Sequence, residues 1–147
     1  MEILPHFWIN YYSKNNNFIK EKKINYIIHL SKNEPFLKKN NIEEIRIPID
    51  YNNNDSIEDI NNIMYQYLYD ITDSAHDKIL SANNVLIIGY NDKQDIDTII
   101  IAYLIKYGKL TINQSLLFLK TKKNILENDG KIIFYHALNR FYYELNK

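Results

Sequence analysis

Hydrophobic positions follow two periods along this chain. Short apolar-rich runs at 7–9, 26–30 and 85–88, and the alternating segment 44–49, have the length of strands. The last of them (Val85, Leu86, Ile87, Ile88) is apolar at every residue, the pattern of a parallel strand buried on both faces. Elsewhere the period is helical. Ile57, Ile60, Ile63, Met64, Tyr67, Leu68 and Ile71 recur at helix spacing, with Ser56 as N-cap. This helix is expected to break near Asp73 and Ser74 and to resume through Ile79. Segments 15–23 and 35–40 are short helical candidates, and Asp95 opens an apolar-rich helix over 96–105. Thr111 suits the N-cap of a helix to Lys122, and Asp129 precedes a last amphipathic helix ending near Leu145. Strands separated by helices predict an α/β fold with helices on both faces of one sheet. There is no internal repeat, and the asparagine runs at 15–17 and 52–54 read as loops.

Composition narrows the function classes. A length of 147 residues fits a single domain, 1–147, with room for a core. Hydrophobic content of 46% with 24% charged residues is that of a soluble globular protein. Formal net charge is zero and the only arginines are Arg46 and Arg140, a balance that argues against a nucleic-acid binder. No cysteine occurs, which excludes disulfides, thiolate metal sites and cysteine-nucleophile chemistry, and suits a reducing cytoplasm. No run approaches the ~20 apolar residues of a membrane span, so no membrane partner is expected. The Asn, Ile, Lys and Tyr bias is that of AT-rich coding, expected of a parasite or large-virus genome.

Residues 85–105 combine a strand, a polar turn from Gly89 to Gln94 and a helix start, the geometry that holds an anion against backbone N–H groups. Here the chain resembles the dual-specificity protein phosphatases. Their signature is a V-L-V strand, then H-C-x5-R-S, then a helix ending A-Y-L-M. Val85, Leu86 and Ile87 match the strand, and Ala102, Tyr103, Leu104 and Ile105 match the helix end without a gap. That register puts Ile88 at the His position, Gly89 at the nucleophilic Cys, Asp92 at the loop glycine, Asp95 at the phosphate-binding Arg and Ile96 at the Ser. Weaker likenesses cover most of the rest. Ile3, Leu4, Pro5 and Phe7, Trp8, Ile9 resemble the opening strands, and Lys23 to Leu30 resembles "G-I-x-Y-I-L-N-L". Arg46 to Asp50 resembles the general-acid segment, and the stretch from Thr111 to Asn128 resembles the region after the active site. The resemblance implies a central, mostly parallel sheet of about five strands flanked by helices.

The same register implies an inactive site. The family mechanism needs a thiolate nucleophile, an Arg gripping the phosphoryl oxygens and an Asp to protonate the leaving group. Gly89 has no side chain to attack with, and Tyr90 is one residue out of register. Asp95 opposes phosphate: two unit charges ~4 Å apart interact by ~4 kcal/mol at an effective dielectric of 20, whereas a helix N-terminus returns only ~0.3–1 kcal/mol, or ~2 when partly buried. The degenerate loop is Gly89, Tyr90, Asn91, Asp92, Lys93, Gln94 and Asp95. Asp95 reads best as an internal substitute for the lost phosphate, capping the helix start. Asn91, Asp92 and Asp95 offer oxygen ligands at a spacing that fits no known cation cage, so neither metal nor cofactor is expected. Asp50 and Tyr51 mark the vestigial general-acid region, with Asp55 nearby. His6, His29, His76 and His136 read as packing or surface residues, and Lys14, Lys20, Lys22 and Lys23 as a solvated early helix, with a docking surface as the alternative. Tyr65 and Tyr69 share a face beside the core stripe, either packed or as an exposed interface patch. The expected function is that of a pseudophosphatase that binds a protein partner as scaffold or regulator, with a homodimer as one form. The alternatives are an enzyme with residual or repurposed chemistry and a phosphoprotein reader.

Overall fold

The computed structural model describes residues 1–11, 17–52, 54–90, 93–123 and 133–147. Contacts divide the chain into two compact units, Met1–Asp50 with Asp73–Ile96, and Tyr51–Thr72 with Asp97–Lys147.

The first unit holds the sheet. Its strands are β1 (Glu2–Leu4), β2 (Phe7–Tyr11), β3 (Tyr26–Leu30), β4 (Glu43–Ile47) and β5 (Val85–Gly89), in the order β1-β2-β5-β3-β4. Only β1 runs antiparallel, paired to β2; the other neighbours are parallel. The expected strands are therefore present, and the all-apolar β5 lies at the centre, buried throughout. Its partners keep one register: Ile27 and Trp8 flank Leu86, and His29 and Asn10 flank Ile88. That face buries Ile27, Leu86 and Ile88 with Ile19 and Ile24.

Helix α1 (Asn17–Glu21) ends in a Schellman motif. Lys23 takes the left-handed conformation at φ 54°, its N–H donates to Lys20 O at 3.1 Å, and the Ile24 N–H donates to Ile19 O at 3.0 Å. Segment 35–40 is not helical, contrary to the sequence pattern. Its Leu37 and Lys38 N–H groups donate to the Glu44 carboxylate instead of to preceding carbonyls, and Lys38 has φ 54°.

Helix α2 (Ile57–Leu80) is continuous, so the expected break near Asp73 and Ser74 does not occur. The segment contains neither Gly nor Pro, and Thr72 returns its hydroxyl to Leu68 O at 2.7 Å without opening the helix. The stripe Ile60, Met64, Leu68, Ile71 and Ala75 is buried, and Ser56 Oγ accepts the Asp59 N–H at 3.1 Å as an N-cap. Ile57 departs from the stripe and is 62% exposed. Helix α3 (Lys93–Gly108) is apolar nearly all round and buried from Ile99 to Ile105, as an interior helix must be.

Helix α4 (Ile112–Lys123) opens with a capping box: Gln114 N donates to Thr111 Oγ1 at 3.1 Å, and Thr111 N to Gln114 Oε1 at 2.9 Å. The last helix, α5 (Tyr135–Leu145), begins later than expected, and Asp129 and Asn128 lie outside the described residues.

Candidate functional site

In parallel α/β sheets the carboxyl ends of the strands are the usual place for a site. Here β5 ends at the buried Gly89, and α3 starts four residues later at Lys93. The polar turn is shorter than the sequence pattern implies, because Gly89 completes the strand and Lys93 and Gln94 belong to the helix. Asn91 and Asp92, and with them most of the cation reading, lie outside the described residues. Among the described residues no group of three or more His, Asp and Glu could hold a metal.

Asp95 stands in the first turn of α3, two residues inside its start, and is only 1% exposed. It is therefore no N-cap, although its carboxylate still complements the positive end of the helix dipole. Gln94, Asp97 and Thr98 are buried as well. The helix start thus carries two buried carboxylate side chains, Asp95 and Asp97. Ile88, 7% exposed, packs in the sheet core.

Tyr90 is tied to the sheet through both its phenol and its ring. Its hydroxyl lies 2.8 Å from His29 Nδ1, and its ring stacks on that imidazole at 5.9 Å. His29 is fully buried in β3 and stacks on Phe36 at 5.1 Å. Its Nε2 lies 2.7 Å from Glu44 Oε1. Glu44 also accepts the Leu37 and Lys38 N–H groups, each at 3.0 Å. Burial acts to raise the Glu44 pKa, but the Leu37 N–H, the His29 ring and the Lys38 N–H together hold it below the ordinary value.

His29 is thus the centre of a buried polar network and not an ordinary packing residue. One signal was available: a histidine inside the five-residue run Tyr26 to Leu30, buried throughout, must find partners. The parallel register pairs Ile27 with Glu44, which sets Glu44 and His29 diagonally on one face. Arg46 is spent locally, donating to Ser31 O at 3.1 Å and to Glu34 O, with its guanidinium 4.9 Å from the Phe36 ring centroid.

The residues read from the sequence as a vestigial general-acid region are engaged as well. Asp50 pairs with Lys32 at 3.3 Å on the surface, and Tyr51 packs edge-on against Phe134 at 5.7 Å. Asp55 accepts the Asn52 N–H at 2.7 Å in a local turn. Tyr65 and Tyr69 are packed, not an open patch: they meet edge to face at 6.3 Å, Tyr69 meets Phe141 at 4.7 Å, and Arg140 lies over Tyr65 at 3.9 Å. No described helix is long and apolar enough to cross a membrane.

No family model matches the sequence, and no curated protein matches it. Solved structures do match, across nearly the whole chain. Human DUSP28 superposes with a TM-score of 0.77 at 14% identity, covering 98% of this chain and 96% of that one. The human tyrosine phosphatase-like serine/threonine/tyrosine-interacting protein gives 0.75 at 15%, covering 99% and 97%. A leucine rich repeat and phosphatase domain containing protein from Entamoeba histolytica gives 0.73 at 17%, covering 99% and 91%. At these identities the likeness is one of fold.

Proposed function

We propose, for a chain that has the dual-specificity phosphatase fold and no cysteine, that it is a pseudophosphatase whose work is protein binding. The absence of any thiol removes the nucleophile of the family mechanism. In our assignment Gly89 takes the cysteine position, Ile88 the histidine position and Asp95 the arginine position. The observation that carries the reading is Asp95, a carboxylate 1% exposed in the first turn of the helix that follows β5. A phosphoryl group there would meet a carboxylate in place of the guanidinium that grips its oxygens in the family mechanism. The partner is a protein, either a different one or a second copy of this chain, met in the cytoplasm on a surface outside the loop. One solved structure with this fold is itself described as a phosphatase-like interacting protein.

Calorimetric titration with phosphotyrosine and phosphothreonine peptides, beside their unphosphorylated forms, tests the reading. The expected result is no phosphate-dependent binding tighter than ~100 μM, about −5.5 kcal/mol. Tighter binding would make the loop a reader that has lost only its chemistry.

Asp95 also serves, in this reading, as the internal anion of the emptied loop. Asp95→Ala is expected to cost about 0.3–2 kcal/mol, the range for a carboxylate in the first turn of a helix. An unchanged melting temperature would remove Asp95 from that role.

A further inference from the structure

The end of α1 and the segment leading into β4 bound a cleft of about 340 Å³ within the first unit. Lys20, Lys23 and Lys39 line it with Asn25, Asn40 and Asn41, above a floor of isoleucines that includes the buried Ile24. Two left-handed residues shape its walls. Lys23 holds φ 54° at the Schellman end of α1, and Asn41 holds φ 67° before β4.

Charge is unbalanced there. Among the described residues no acidic side chain lines the cleft. The ammonium groups of Lys20, Lys23 and Lys39 make no ion pair and no hydrogen bond among the described residues. Other lysines are engaged, Lys32 with Asp50, Lys78 with Glu43, Lys147 with Glu144, and Lys22 over the Trp8 ring at 5.4 Å. The ammonium groups of Lys38, Lys109 and Lys120 are free among the described residues but do not line this cleft. In a chain of zero net charge, three uncompensated cations around one concavity concentrate positive potential, and low-dielectric walls focus it.

We propose that this cleft docks an Asp/Glu-rich peptide segment of a partner protein, with its carboxylates on Lys20, Lys23 and Lys39 and an apolar side chain over the isoleucine floor. Three features favour a peptide over a nucleic acid. The cations are lysines, without the bidentate fork that grips phosphates. The apolar floor has no use for a sugar–phosphate backbone. The Asn40 and Asn41 amides, unbonded among the described residues, can donate to and accept from a peptide main chain. The proposal rests on protein binding being the work of the chain, and it supplies the partner's chemistry.

The test is an NMR titration of the isotope-labelled full chain with a blocked peptide alternating Asp or Glu with Leu. The same peptide with Asn and Gln in place of the acids, and a single-stranded oligonucleotide, are the other arms. Saturable shifts are expected at residues 19–25 and 39–42 with the acidic peptide alone, weakening as salt rises. Combined Lys20→Glu, Lys23→Glu and Lys39→Glu should weaken binding about tenfold or more, whereas Lys109→Glu with Lys120→Glu should change it by less than about twofold. Circular dichroism checks that each variant is folded, and the single reversals stand in if the triple variant is not.

Silence at the cleft, an equal loss from the Lys109 and Lys120 reversals, or tighter oligonucleotide binding at these residues would each overturn the proposal. A phosphopeptide response at Gly89 to Asp95 would instead overturn the pseudophosphatase reading and leave the cleft standing.

Discussion

Replacing Glu44 with leucine should destabilise the protein by about 3 kcal/mol, because three donors lose their acceptor at once. The Leu37 and Lys38 N–H groups and the His29 ring all converge on this carboxylate, whose side chain is 5% exposed. Leucine fills the space and accepts nothing. Glu44→Gln keeps one acceptor oxygen and should cost less, roughly 1–2 kcal/mol, because its amide N–H₂ then faces donors. Urea unfolding monitored by Trp8 fluorescence reads both.

The pH dependence follows from the direction of the Glu44 shift. A carboxyl held below the ordinary glutamate value of 4.5 contributes stability that is fully present above that value. The contribution is lost as pH falls through the lower, folded value. The gap between the parent and Glu44→Leu should therefore be widest near neutrality and narrow below pH 4.5. A gap under about 1 kcal/mol at neutral pH, or one unchanged in acid, would mean that water replaces the carboxylate. The site would feel the loss as well. His29 ties Tyr90, the residue after Gly89, to the sheet face, so an unanchored imidazole weakens one tie of Tyr90 to the sheet.

That network marks where sequence reading stops. The strands were legible because a run such as Val85 to Ile88 can only be buried, and the core stripe of α2 because its period is 3.6. Segment 35–40 misled for a physical reason. Its helical pattern is real, but Glu44 captures the N–H groups that a helix would use, and nothing local to the segment announces that competitor. Ile57 misled because periodicity continues to a helix end where there is no longer anything to pack against. Asp95 was legible as a negative charge beside a helix start but not as a residue two positions inside it; a boundary shift of this size is ordinary at helix ends. The lysine cleft was half visible. Lys20 and Lys23 sat in the sequence as an early basic helix, while Lys39 joined them only through the fold.

Asn61→Leu should cost about 2–4 kcal/mol, for a reason the sequence hides equally well. Helix α5 has Phe134 at its N-cap, with no side-chain cap of its own. The cap comes from α2: Asn61 Oδ1 accepts the Ala137 N–H at 2.8 Å, while Asn61 Nδ2 donates to Ile133 O at 2.9 Å and Ile57 O at 2.8 Å. Asn61 is 4% exposed and Ala137 2%, so water cannot replace the bond to Ala137. Ile133 is more open, at 37%, which places the expected cost towards the lower end of the range. Asn61→Asp separates the two halves of the clip. Its carboxylate keeps the acceptor for Ala137 and sits well at a helix start, yet it has no donor for the two carbonyls. Hydrogen exchange should then show the Ala137 amide losing protection in Asn61→Leu and keeping most of it in Asn61→Asp, although both proteins unfold more easily. Equal exchange in the parent and the leucine variant would mean that α5 is held by Leu138 and Phe141 alone. The same clip sets one wall of a cleft of about 570 Å³ between α2 and α5, where the exposed Ile57 and the stacked Tyr65 and Arg140 meet. Loosening Asn61 therefore moves the exposed start of α2 away from α5, and the cost in stability and the change in that surface have one cause.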